Sequence, residues 1–262
     1  MPQPRVLILR APGANCDAET AYAFERAGGV PERMHVNRLL ESPDRLAEFQ
    51  ILCIPGGFSY GDDIAAGRIL ASQLTHHLSE PIEAFKAAGK LILGICNGFQ
   101  ILLKAGILLP PQRDGTTQAT LGWNQSGKFE DRWVPLVSTS SKSVFFAGIE
   151  TMYLPVAHAE GKFVPRNERV LRELEAAGQV VLRYGSGQAA GGLTPRVPYP
   201  ANPNGSLSDI AGVCDDSGRV CGLMPHPERH IDPTQHPRWT RGPLAAVGDG
   251  LRVFQNAVDF FR

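Results

Sequence analysis

Residues 91–102, Leu-Ile-Leu-Gly-Ile-Cys-Asn-Gly-Phe-Gln-Ile-Leu, constrain the fold more than any other stretch of the chain. An apolar run ends at Gly94-Ile95-Cys96-Asn97-Gly98 and passes directly into a helical pattern. So tight a strand-to-helix reversal crowds the residues two places either side of its apex, and glycine stands at both. The arrangement belongs to sheets whose ligands gather at the carboxyl ends of the strands. The same grammar recurs along the chain. Apolar runs at 6–9 and 51–54, with a weaker one at 33–36, predict strands, and 17–27, 62–78, 80–88 and 97–105 predict helices. Continuous apolar strands separated by helices indicate an α/β fold with a mostly parallel sheet covered on both faces.

The second half is less regular. Strands are expected at 133–137, 152–156, 180–183, 210–214 and 220–224, and helices at 168–177 and 250–261. In the last of these Leu251, Phe254, Val258 and Phe261 share one helical stripe and read as core. Residues 185–208 and 232–249 are rich in Gly and Pro and read as long loops. With no repeat and no linker, residues 1–262 are expected to form one domain, and 262 residues suffice for a hydrophobic core without staples.

The 26 basic and 26 acidic residues cancel, which gives no reason to expect nucleic acid or an anionic membrane as partner. Val6-Leu7-Ile8-Leu9 is too short for a signal-peptide core, and no stretch approaches a membrane span. A cytoplasmic location follows as the expectation. The five cysteines show neither C-x-x-C pairing nor zinc-ligand grouping, so they read as free thiols, with Cys53 and Cys221 as core filler.

At the apex of the reversal, Cys96 lies at the N-terminus of the following helix, whose dipole and free N–H groups favour thiolate over thiol. A thiolate nucleophile needs a base, and the base a carboxylate to orient it. Of seven histidines, His226 is best placed. It follows the strand 220–224 in Met-Pro-His-Pro-Glu-Arg, and an extended backbone would set Glu228 on the same side. His76 and His77 read as solvated, His35 and His236 as unpartnered, and His158 as a candidate for the site's wall. A metal reading of His226-x-x-x-His230 lacks the adjacent glutamate of the zinc motif, and Pro227 breaks the helix it would need, so no metal is expected. Attack on an amide creates an oxyanion that needs fixed N–H donors. The backbone of Asn97 is one, and Gly57 in the Pro55-Gly56-Gly57-Phe58 turn is the other. Gly122–Lys128 spells a phosphate-loop pattern, but Phe129 stands where a magnesium-binding hydroxyl belongs, so the match reads as coincidence. Asn124 and Ser126 are instead candidates for the pocket's edge.

Gly94–Gln100, Pro55–Asp62 and Pro225–Glu228 resemble the class I, triad-type glutamine amidotransferases. Gly56–Asp63, Gly13–Asp17 and Asn202–Ser206 with Asp209–Gly212 resemble, more narrowly, the glutaminase subunits of phosphoribosylformylglycinamidine synthase. The resemblance runs from about Val6 to Phe261. It implies a flavodoxin-like sheet and a triad of Cys96, His226 and Glu228, with Gly56, Phe58 and Gln100 helping to hold L-glutamine. It also implies a synthetase subunit that receives the ammonia and itself binds ATP and magnesium, a small accessory subunit, and no cofactor in this chain. The loops at 185–200 and 232–249 are longer than in compact members of the class, a departure that bears on partner docking. Another cysteine hydrolase built on the same elbow, or a non-catalytic module, are the alternatives. The 56–63 stretch argues against the first and the intact triad against the second.

Overall fold

The computed structural model describes residues 3–185 and 196–262. In chain order the elements are β1 (Arg5–Arg10), α1 (Asp17–Arg26), β2 (Val30–His35), α2 (Val36–Glu41), β3 (Ile51–Ile54), α3 (Arg68–His77), α4 (Ser79–Ala87), β4 (Leu91–Ile95) and α5 (Asn97–Lys104). There follow β5 (Ala119–Trp123), β6 (Glu130–Ser138), β7 (Thr151–His158), β8 (Glu160–Pro165), α6 (Glu168–Ala176), β9 (Val180–Tyr184), β10 (Ile210–Cys214), β11 (Val220–Leu223) and α7 (Leu251–Asp259).

Nine strands form one sheet in the order β2-β1-β3-β4-β11-β10-β9-β6-β7. From β2 to β11 every neighbour is parallel, in the flavodoxin-like order, and from β11 to β7 every neighbour is antiparallel. The inner parallel strands are buried on both faces: all of β3, β4 and β11 is buried, as are Val6–Leu9 of β1. Two-sided burial is why these strands are continuous apolar runs. Helix α7 buries Leu251, Phe254 and Val258 as its stripe requires, with Phe254 edge-on to Phe24 of α1 at 4.9 Å. Cys53 and Cys221 are buried in β3 and β11.

The structure departs from several of these expectations. The helix expected from residue 62 begins only at Arg68, because Tyr60, Gly61, Asp62 and Gly67 all have positive φ and turn the chain out of helical geometry. The strand expected at 33–36 runs from Val30 to His35, and Val36 already starts α2 under a cap from His35, whose ring accepts the N–H of Asn37. The β5–β8 pair was not foreseen; it forms a separate two-stranded leaf, one face of which meets solvent. Within the expected loop 185–208, residues 186–195 lie outside the described residues. Residues 202–206 are buried instead: the Asn202 side chain bonds Asp209, Ser206 and the N–H of Gly205. No helix among the described residues is long and apolar enough to cross a membrane.

Helix α5 is laid against β3 by direct backbone contact. A Cβ on Gly98 would lie 1.9 Å from the Ile54 carbonyl oxygen, and one on Gly94 would lie 2.7 Å from the Gly98 carbonyl. A Gly98→Ala variant must lift the helix off the sheet. It is expected to lose about 3 kcal/mol of stability, measured by denaturant unfolding.

Candidate active site

Between β4 and α5, Cys96 adopts φ 52° and ψ −104°. A non-glycine residue held there costs on the order of 1–3 kcal/mol, and the surrounding structure must impose it. It does so through the backbone: the Cys96 N–H donates to Leu223 O of β11 at 2.8 Å, and Cys96 O accepts from Gln100 at 3.2 Å. The thiol, 5% exposed, lies 3.7 Å from Ala157 O at the end of β7.

His226 follows β11, the strand beside β4. Its N–H donates to Pro155 O of β7 at 2.8 Å, and its Nδ1 lies 2.6 Å from Glu228 Oε1. The expected proximity is present, but its geometric reason differs. Pro227–Arg229 form a single 3-10 turn, and this turn, rather than extended backbone, folds the carboxylate back onto the ring. Both side chains are essentially inaccessible to water. Burial opposes the charged imidazolium, but Glu228, followed by Cys96 and Cys16, outweighs it and holds His226 well above its ordinary range. Such an imidazole is a ready acceptor for the Cys96 proton.

Gly57, expected to supply one oxyanion donor, lines the same cavity as Cys96. Gly57 has φ 137°, and a Cβ there would lie 2.6 Å from the Asn15 nitrogen and 2.7 Å from Gly13 O, so no other residue fits. The loop is pinned by Phe58 N–H donating to Gly13 O at 2.9 Å and Cys16 N–H to Gly56 O at 3.3 Å. A Cβ on Gly56 would come within 2.8 Å of the His226 ring and 3.1 Å of Cys16 Sγ. As a first-turn helical amide, the Asn97 N–H has no acceptor within the helix. The Asn97 side chain accepts from Ser59 N–H at 3.2 Å and donates to Gln100 Oε1 at 2.8 Å, while Gln100 Nε2 donates to Glu160 O at 2.6 Å. Gln100 thus meets the cavity with its amide largely committed to the protein. The cavity beside Cys96 measures about 280 Å³, and Gly57, Phe58, Gln100, Trp123 and His158 are among the residues lining it.

Several comparisons bear on this geometry. A family profile for the CobB/CobQ-like glutamine amidotransferase domain matches residues 3–261. The phosphoribosylformylglycinamidine synthase subunit PurQ of Dehalococcoides mccartyi is 51% identical over 100% of this chain and 99% of its own. The PurQ subunit of Methanococcus maripaludis strain S2 / LL is 38% identical, over 98% of this chain and 97% of its own. The chain belongs to the PurQ family of glutamine amidotransferases. A chain in the structure of PurLQS from Thermotoga maritima matches with a TM-score of 0.74 and 31% identity, each covering 100% of the other.

Against this PurQ-type framework, several side chains lie where sequence reasoning did not put them. Cys16 is the main omission. Its sulfur, with ligand atoms of His226 and Glu228, falls in a group spanning at most 4.8 Å, and it accepts from Arg229 Nη2 at 3.2 Å. Burial pushes this thiol up to about 11. The Arg229 guanidinium, itself held by Glu19 at 2.9 Å, puts positive charge beside the Cys16 sulfur. The only sequence signal for Cys16 was its place in the 13–17 family stretch. Trp123, 64% exposed, was also missed because it lies on the unforeseen leaf. His236 is not unpartnered: its ring lies 4.8 Å from that of Trp133. Of the two edge candidates, Ser126 pairs with Glu130 away from the cavity. Asn124 is buried and braces His158, its Oδ1 3.0 Å from the ring's Nδ1.

His158 carries a consequence for stability. Burial, reinforced by the nearby His226, pushes it down from 6.5 to about 3. Between these values the unfolded chain binds a proton that the folded chain does not. The neutral ring's contribution is therefore complete above pH 6.5 and is lost progressively as pH falls towards about 3. Replacing His158 with Gln is expected to flatten the acid loss of stability in this window by about 1.4 kcal/mol per pH unit. Denaturant unfolding of both proteins at a series of pH values measures it.

Proposed function

We propose that this chain is the glutaminase subunit of phosphoribosylformylglycinamidine synthase, with Cys96, His226 and Glu228 as its catalytic triad. The observation that carries the chemistry is the buried 2.6 Å His226–Glu228 pair beside the strained elbow of Cys96. Cys96 gives its proton to His226 and attacks the side-chain amide carbon of L-glutamine. The resulting oxyanion is received by the N–H groups of Gly57 and Asn97. His226 protonates the departing ammonia, leaving a γ-glutamyl thioester on Cys96. It then takes a proton from water, whose oxygen attacks the thioester, and glutamate leaves as the thiol is restored. Throughout, Glu228 keeps the proton of the neutral ring on Nδ1, so that Nε2 does the exchanging. Gly56, Phe58 and Gln100 shape the glutamine pocket.

The ammonia passes to a synthetase subunit, which in this reading binds ATP, magnesium and formylglycinamide ribonucleotide and makes the amidine of de novo purine biosynthesis. A small accessory subunit completes the assembly. The Gly122–Lys128 string offers this chain no nucleotide site of its own. It runs from the end of β5 into a turn and on to β6, without the strand-to-helix setting that a phosphate loop requires. The five free cysteines fit a reducing, cytoplasmic setting.

The test is Cys96→Ala in the reconstituted complex. Glutamine-dependent synthesis is expected to fall by about 10³-fold or more, while synthesis from added ammonium persists. Full glutamine-dependent activity in the variant would sink the assignment. The chain alone is expected to be a poor glutaminase, rising at least about tenfold when the synthetase and its nucleotide are added, since ammonia released without an acceptor is wasted. Comparison of glutamate release with and without the partner measures this.

A further inference from the structure

Asp62 and Glu160 line the Cys96 cavity and have no part in the triad chemistry. Both are tied to the first turn of α5, directly after the nucleophile. Asp62 Oδ1 accepts from Gly67 N–H at 3.2 Å and from Asn97 Nδ2 at 3.3 Å. The Asn97 nitrogen also donates to Gln100 Oε1, and Gln100 Nε2 donates to Glu160 O at 2.6 Å. One chain of side-chain amides thus joins the two acidic residues.

Their charged ends are left over. Asp62 Oδ2 makes no hydrogen bond or ion pair, nor does either carboxylate oxygen of Glu160, and none of these oxygens is sealed from water. Burial holds the Asp62 carboxyl above its ordinary range, against the opposing pull of Gly67, Asn97 and Lys104. Lys104 feels both carboxylates, but its Nζ is given to Ala66 O at 2.5 Å and it lines a different hollow. Among the described residues no lysine or arginine lines the Cys96 cavity, and burial keeps His158 neutral. The cavity therefore presents two reachable negative charges and no positive one. An aromatic face adjoins them: Trp123, 64% exposed, pairs with Glu160 across the β5–β8 leaf and lines the same cavity. A carboxylate beside an indole suits an ammonium group, which gains both charge-assisted hydrogen bonds and attraction to the ring face.

We infer that Asp62 and Glu160, with Trp123 beside them, bind the α-ammonium of glutamine and so select an α-amino amide over a simple one. The α-carboxylate of the same substrate meets no cation here and is turned away from the two acidic groups by like-charge repulsion. Recognition is one-sided: the amine is read and the acid is not. The inference rests on the glutaminase reading above.

The experiment measures ammonia release by the reconstituted complex from three compounds. These are L-glutamine, its des-amino analogue glutaramate, and its α-methyl ester, in which the carboxylate charge is gone. For wild type, kcat/KM is expected to fall at least about 100-fold without the ammonium and less than about tenfold without the carboxylate charge. Asp62→Asn and Glu160→Gln keep the shape and remove the charge. Each is expected to raise KM for glutamine about tenfold and to narrow the preference for glutamine over glutaramate by about the same factor. A general loss of packing would lower both substrates alike and leave the preference where it was. That outcome in either variant overturns the inference. So does a wild-type complex that uses glutaramate within about threefold of glutamine, or one that loses more on the ester than on glutaramate. The wild-type comparison decides even if neither variant assembles. If the wild-type complex released no ammonia from glutamine itself, the glutaminase reading would fall, and this assignment with it.

Discussion

Everything at the reacting centre depends on how the Cys96 turn is clamped. The residue's backbone is unfavourable for any side chain, so it persists only because neighbours on both sides leave no alternative. On one side the Cys96 N–H is tied to Leu223 of β11. On the other, Gly98 presses α5 onto Ile54 of β3 without a side chain between them. The same two neighbours bring the remaining parts. The chain leaves β11 for His226 and Glu228, and leaves β3 for Gly56 and Gly57. One local strain is thus held by the three strands whose ends carry the proposed nucleophile, base and oxyanion donors.

The electrostatics divide two buried histidines by their partners. His226 and His158 are both sealed from water, yet they are driven in opposite directions. His226 has a carboxylate 2.6 Å away and two sulfurs beside it, so burial is outweighed and the ring favours its charged form. His158 has only a neutral amide for a partner, so burial prevails and the ring stays uncharged. One ring favours the charged form; the other stays neutral.

What the sequence disclosed follows from the same physics. The inner parallel strands were legible to within a residue or so because burial on both faces demands uninterrupted apolar runs, as in Leu91–Ile95, whereas the half-exposed edge strand β2 begins three residues before its expected start. The Cys96 turn was legible because its glycines are sterically compulsory. The β5–β8 leaf was not, since Ala119–Trp123 is half exposed and broken by Gly122. The false helical start at residue 62 arose because Asp62 resembles a helix cap, whereas its positive φ is imposed by the loop. Cys16 escaped notice because it is distant in sequence from the other site residues, and only the crossing of α1's N-terminus over the turn at Pro227–Arg229 unites them.

The position of β11 in the sheet has a further consequence for how the chain comes off the ribosome. β4 is finished at residue 95, but the strand that pairs with its second edge is not made until residues 220–223. Through more than a hundred intervening residues the strand leading to Cys96 has one open, wholly apolar edge, the kind of surface that recruits foreign strands. The clamp on the Cys96 backbone is likewise missing until Leu223 arrives. The nascent polypeptide therefore carries an unclamped Cys96 turn and an unpaired strand edge through nearly half of its synthesis. The backbone tie from Leu223 and the His226–Glu228 pair both come from residues made after 220, so a chain ending before them has Cys96 without its neighbours.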